Sequence, residues 1–113
     1  MKRVQPIVIK DEHGEEKYVL EFDRNSVRFA ESQGFDVTAI DKKPLTSLSD
    51  LFYFAFRKNH PKMAREKTEE VLQDIGGIST ALVERLVALY NATLETLMAD
   101  EDSLKNARMT VVF

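Results

Sequence analysis

The chain has 113 residues, of which 43% are hydrophobic and 31% are charged, a composition typical of one soluble globular domain. Its net charge of −3 gives no electrostatic basis for binding nucleic acid or an anionic membrane surface. Cysteine is absent, which excludes disulfides and thiolate chemistry, and no apolar run approaches the roughly 20 residues that a membrane span needs.

The N-terminal part of the sequence predicts a β-hairpin. Residues 4–9 are mostly β-branched and apolar, and the next apolar segment alternates, so that Tyr18, Leu20 and Phe22 share one face. The polar residues 11–16 between the two segments contain a glycine and predict a turn. We therefore expect a hairpin whose Tyr18, Leu20 and Phe22 side chains point into the core.

A bundle of about four helices should follow the hairpin. Asp23 or Asn25 caps the first helix, because a short side-chain oxygen accepts a hydrogen bond from the free N–H groups of the first turn. Gly34 ends this helix, since glycine adopts the left-handed conformation at low cost. The connector that follows has two apolar anchors, Val37 and Ile40.

The second predicted helix is rich in aromatic residues, and its boundaries follow from polar residues and a proline. Thr46, Ser47 or Ser49 caps its start, and the pair His60-Pro61 stops it. Its apolar stripe consists of four residues at helical spacing: Leu48, Leu51, Phe52 and Ala55.

This second helix contains more aromatic rings than one buried face can use. Tyr53 lies well off the apolar stripe, and Phe54 lies nearly opposite to it. Either a second layer of the same domain covers these rings, or they form a partner-binding surface. On the second interpretation the binding residues are Tyr53, Phe54, Phe56 and Arg57.

Two further helices complete the predicted bundle. The third covers residues 64–75 and ends at a glycine pair, and Ser79 caps the fourth. The apolar stripe of the fourth helix, within residues 82–98, is wide enough to pack against two neighbours. We expect one α+β domain over residues 1–99 and a flexible tail over residues 100–113, whose β-prone residues 109–113 either add a short strand to the hairpin or fray.

No set of residues has the spacing of a catalytic or metal-binding motif. His13 and His60 are far apart, and neither has a second ligand three or four residues away. The carboxylate pairs fall in segments that we expect to be solvated, where a carboxylate is a poor general acid or base. We therefore expect no enzyme activity, no metal and no cofactor.

Four stretches of the sequence carry a resemblance to a known group of proteins. They are YVLEFDRNSV (residues 18–27), AESQGFD (30–36), LFYFAFRKNH (51–60) and LQDIGG (72–77) before a long helix. Together they resemble tail assembly chaperones encoded by long-tailed phages and prophages of Gram-positive bacteria. The resemblance covers about residues 4–97 and consists of packing patterns.

The resemblance implies a small α+β protein of the host bacterial cytoplasm. Such a protein binds the phage tape measure protein, keeps it soluble and recruits the tail tube protein around it. The surplus aromatic surface also predicts a homo-oligomer. Two other functions stay open on the sequence: a structural head–tail connector or neck component of the virion, and a small phage-encoded regulator of a host protein.

Overall fold

The computed structural model describes residues 4–97, 108–109 and 111–113. A two-stranded antiparallel sheet is followed by four α-helices, which confirms the predicted α+β fold. The elements are β1 (Ile7–Lys10), β2 (Glu16–Leu20), α1 (Arg24–Ser32), a 3-10 helix (Val37–Ala39), α2 (Pro44–Ala55), α3 (Arg65–Asp74) and α4 (Thr80–Leu97). None of the described helices is both long and apolar enough to cross a membrane.

The hairpin turn is built around the carboxylate of Asp11. This carboxylate accepts hydrogen bonds from the backbone N–H groups of His13 and Glu15, both at 2.9 Å. Gly14 takes a φ of +80° in the same turn, a conformation that glycine adopts without steric cost. The turn sets a register that pairs Ile7 with Leu20 and places the predicted inward face of β2 on the core.

Helix α1 begins at Asp23, one of the two caps that the sequence allows. The Asp23 carboxylate accepts the Ser26 N–H at 2.7 Å, and the Ser26 hydroxyl accepts the Asp23 N–H at 2.8 Å. This reciprocal pair satisfies two backbone donors that the first helical turn leaves free. After the helix, Gly34 has a φ of +86°, as the sequence predicts for its end.

Helix α2 begins and ends earlier than the sequence indicates. Its first residue is Pro44, so the prediction that Thr46, Ser47 or Ser49 caps it is wrong. Proline fits the first helical position because its φ is already helical and its missing N–H would have no partner there. The helix ends at Ala55, and residues 56–60 continue in tight turns, so the His60-Pro61 pair lies beyond the end.

Helices α3 and α4 match the predicted order and capping. The helix predicted over residues 64–75 is α3, and two glycines with φ of +89° and +95° follow it. The Ser79 hydroxyl accepts the Leu82 N–H at 3.1 Å and so caps α4, as predicted. Helix α4 packs against both α1 and α2, which agrees with the wide apolar stripe.

The C-terminal predictions fall largely on residues that the structure does not describe. The boundary at residues 99 and 100 and most of the predicted tail lie outside the described residues. Of the last five residues, Met109 and residues 111–113 are described, and these belong to no strand. Within the described part of the chain, the sheet therefore consists of β1 and β2.

One aromatic cluster forms the centre of the core. The Phe35 ring contacts Phe54 and Tyr90 with centroid distances of 5.6 and 5.4 Å, and Phe22 meets Tyr90 at 5.2 Å. All three pairs are edge-to-face, the geometry that aromatic quadrupoles favour. The core thus brings Phe22, which follows β2, and Phe35, which follows α1, together with helices α2 and α4.

Candidate partner-binding surfaces

The four residues predicted to bind a partner are brought together around one shallow indentation, but two of them are buried. Tyr53, Phe54, Phe56 and Arg57 all line it. Only 4% of the Phe54 surface and 0% of the Phe56 surface is exposed. Phe54 lies opposite the predicted apolar stripe and is nevertheless buried, because α2 packs against α1, α3, α4 and the 3-10 helix rather than against one layer.

The rings of Phe54 and Phe56 belong to the core. Phe54 meets Phe29 edge-to-face at 5.8 Å, in addition to its contact with Phe35. Phe56 meets Tyr18 at 5.4 Å and Phe52 at 5.1 Å. Phe54 and Phe56 are therefore covered by other parts of the same domain, the first of the two alternatives that the sequence left open.

The accessible side chains of this region are already paired with each other. The Arg57 guanidinium stacks 3.8 Å from the Phe29 ring centroid, and Arg65 lies 5.0 Å from the centroid of the half-buried Tyr53 ring. Such cation–π contacts cover the faces of both rings. The indentation itself encloses about 10 Å³, room for about one water molecule.

Arg65 is held in place by two carboxylates. It donates to Asp50 at 2.6 Å and to Glu69 at 3.3 Å. Burial lowers the pKa of Arg65, but these two hydrogen bonds and the two negative charges outweigh it, so the pKa is raised overall. We call the set Phe29, Tyr53, Arg57 and Arg65 the aromatic face. Its two arginine side chains lie over its two rings, so the aromatic face is closed.

His60 covers the outer edge of β2. Its Nε2 atom accepts the Val19 N–H at 3.1 Å, and the Asn59 side-chain amide donates to the Val19 carbonyl at 3.1 Å. The acceptor and the donor that bond to Val19 thus both come from the segment after α2, which takes the place of a third strand on that side. Sequence reasoning missed this role, because 41 residues separate His60 from Val19.

An open apolar groove lies between α4 and the connector that precedes α2. Its apolar lining consists of Val37, Ile40, Val83, Val87 and Ala88, all half-buried. Its volume is about 680 Å³, and it opens broadly to solvent. We call this feature the α4 groove. The sequence contained its parts, namely the connector anchors and the wide stripe of α4, but not their docking.

The α4 groove has an acidic rim. Asp41 and Glu84 line it, and no lysine or arginine is among its described lining residues. Beside it, Asp36 accepts hydrogen bonds from the Thr38 hydroxyl at 2.6 Å and the Thr38 N–H at 2.9 Å. These bonds lower the pKa of Asp36, which keeps its carboxylate charged. The groove thus combines an apolar floor with a negative border.

Metal-ligating side chains do not cluster in the part of the chain that the structure describes. Across residues 4–97 and the described C-terminal residues, no three histidine, aspartate or glutamate side chains come close enough to hold an ion.

Together, the hairpin, the four helices and the two surfaces define a small α+β domain with one closed aromatic face and one open apolar groove. The chain belongs to the family described as "Domain of unknown function (DUF5055)", whose model matches residues 1–113. Comparison with curated proteins and with solved structures finds no match.

Proposed function

We propose that this protein is a phage tail assembly chaperone of the host bacterial cytoplasm. It binds the tape measure protein, keeps it soluble and aids assembly of the tail tube protein around it. The sequence resemblance supports this proposal, and the single structural observation in its favour is the α4 groove. An apolar groove open to solvent is suited to binding one face of an amphipathic helix.

The floor of the groove has a shape that suits such a helix. Val83 and Val87 are one turn apart on α4, so their side chains form a short ridge along the helix. Val37 and Ile40 lie opposite them on the connector. A client helix would place apolar residues at three- and four-residue spacing on either side of the ridge.

The rim suggests the charge of the client. Asp41 and Glu84 would pair with lysine or arginine residues that flank the apolar face of the client helix. Exposed ion pairs of this kind are screened by salt, so the affinity for the client should fall as ionic strength rises.

Co-expression with the tape measure protein of the same phage tests this function. Val83→Lys places a charge on the floor of the groove, and Ala81→Lys places the same charge in the same helical turn, on an exposed residue outside the groove lining. Each variant is first checked for an unchanged circular dichroism spectrum. The wild type and Ala81→Lys should keep the tape measure protein soluble, and Val83→Lys should not.

The outcomes separate the function from its proposed surface. If a folded Val83→Lys variant still keeps its client soluble, the groove is not the binding surface. If the wild type does not keep the client soluble, the chaperone function is wrong. Recovery of the protein from purified virions would favour a connector component, and selective capture of one host enzyme would favour a regulator.

A further inference from the structure

The outer edge of β1 has backbone groups that point away from the hairpin. Val8 lies opposite Val19 in the register, and the N–H and carbonyl of Val19 bond outward to His60 and Asn59. In an antiparallel pair, two residues that face each other this way both direct their backbone groups away from the partner strand. The N–H and carbonyl of Val8 therefore point to the free side of β1.

This edge is closed at its start and open at Val8. Arg85 of α4 donates to the carbonyl of Gln5 at 2.7 Å and of Pro6 at 3.4 Å, and Pro6 has no N–H to offer. Within the described residues, no group pairs with the backbone of Val8, and 40% of its surface is exposed. One edge of the sheet is thus covered by residues 59–60, and the other is available to a further strand.

The C-terminal segment has the properties of such a strand. Its sequence, MTVVF, is rich in β-branched residues and alternates, so Met109, Val111 and Phe113 would share one face of a strand. In its own chain the described side chains of this segment are not packed: Met109 is 91% exposed and Val112 is 90% exposed. The chain therefore presents both a vacant strand edge and an unburied apolar strand-former.

We propose that residues 109–113 of one copy add a third strand to the outer edge of β1 in a second copy. The interaction satisfies the N–H and carbonyl of Val8 and buries apolar side chains that are exposed in a single chain. It also turns a two-stranded sheet into a three-stranded one, the size at which sheets gain independent stability. The added strand is short, since Arg85 and Pro6 limit the open edge on one side.

The test uses three variants that each block one half of the contact, together with one control. Deletion of residues 109–113 removes the donor strand. Val8→Pro removes the N–H of the acceptor edge, and it spares the hairpin because that N–H is not bonded to β2. Val8→Thr keeps the N–H and the β-branched shape and serves as the control. Val8→Lys is a second acceptor variant, because a charged edge also opposes strand addition.

Sedimentation over a range of concentrations is the measurement, with circular dichroism to verify folding. The wild type and Val8→Thr should associate, whereas the deletion variant, Val8→Pro and Val8→Lys should each associate at least about tenfold more weakly, the value of one net backbone hydrogen bond. A mixture of the deletion variant with Val8→Pro should form a dimer, because each chain supplies the half that the other lacks.

Several results would overturn the proposal. A wild type that stays monomeric at high concentration excludes association through this edge. A deletion variant that associates as strongly as the wild type shows that the contact lies elsewhere. If the mixture of the two variants remains monomeric although each is folded, strand donation between copies is wrong.

Discussion

In helices α2 and α4, the number of apolar residues and the apolar surface left exposed do not go together. Helix α2 and the residues after it carry four aromatic rings within five positions, yet Phe54 and Phe56 are buried and Tyr53 is half-buried. Helix α4 has mainly aliphatic residues on its stripe, yet it borders the open groove through Val83 and Val87. The number of apolar residues on a helix thus does not tell which helix leaves apolar surface exposed.

The neighbours of each helix explain the difference. Helix α2 is central: it contacts three helices and the 3-10 helix, so residues 51–55 of its second half are buried or half-buried on all sides, whereas Leu45 in its first turn is 89% exposed. Helix α4 packs against α1 and α2, and where the connector meets it the contact is incomplete. A helical wheel assumes one buried face, an assumption that is closer to the truth for α4 than for α2.

The largest expected effect concerns Phe54, which separates core from surface within α2. Phe54→Ala should cost about 3–5 kcal/mol of unfolding free energy, because a buried ring is lost from between Phe29 and Phe35. Tyr53→Ala is the neighbouring control and should cost about 1 kcal/mol, since its ring is half-buried. Urea denaturation of both variants measures the difference.

The contrast between α2 and α4 is wrong if Tyr53→Ala lowers the unfolding free energy more than Phe54→Ala does. Equal losses for Phe54→Ala and Tyr53→Ala would mean that the two rings are buried alike. A small loss for Phe54→Ala would mean that the Phe54 ring is exposed. The aromatic residues of α2 would then again be candidates for binding a partner.

The second prediction tests the inward face of the hairpin, on which the segment after α2 is packed. Leu20 is 0% exposed, so Leu20→Ala should lower the unfolding free energy by about 2–5 kcal/mol. Val8→Ala on the opposite face of the hairpin is the control and should cost about 1 kcal/mol or less. A loss below about 1 kcal/mol for Leu20→Ala would mean that the two strand faces are reversed.

The third prediction concerns the hydrogen bonds that the segment after α2 makes to the outer edge of β2. His60→Ala should cost about 1–3 kcal/mol, because the Val19 N–H is left without its acceptor in a partly buried position. His13→Ala is the matched control: its side chain is exposed in the hairpin turn, and the change should stay within about 0.5 kcal/mol. Equal effects in thermal melts would show that His60 does not protect the strand edge.

The sequence was sufficient for the elements whose signals are local. The Asp23 cap, the Ser79 cap and the inward positions of Leu20 and Phe22 each depend on residues within a few positions, and the structure confirms them. The start of α2 was missed because three hydroxyl residues looked like caps, whereas Pro44 gave the effective signal.

The candidate surfaces could not be predicted in the same way, because they depend on docking between distant segments. The α4 groove forms only where Val37 and Ile40 meet Val83 and Val87, more than 40 residues later in the sequence. Likewise, the burial of Phe54 depends on Phe35, a residue of the preceding connector. Periodicity along one helix contains no information about such contacts.

The smallest expected effect concerns the C-terminal segment, which differs from both helices because its apolar side chains are exposed without a groove around them. Deleting residues 103–113 should leave the melting temperature of the protein nearly unchanged at low concentration. The described side chains of the deleted stretch, residues 108–109 and 111–113, are exposed in their own chain, so a dilute monomer loses no packing with them. A melting temperature that falls by several degrees even in dilute solution would mean that the segment packs against its own domain. A fall that appears only at high concentration is expected instead, since association then adds to the stability of the intact chain.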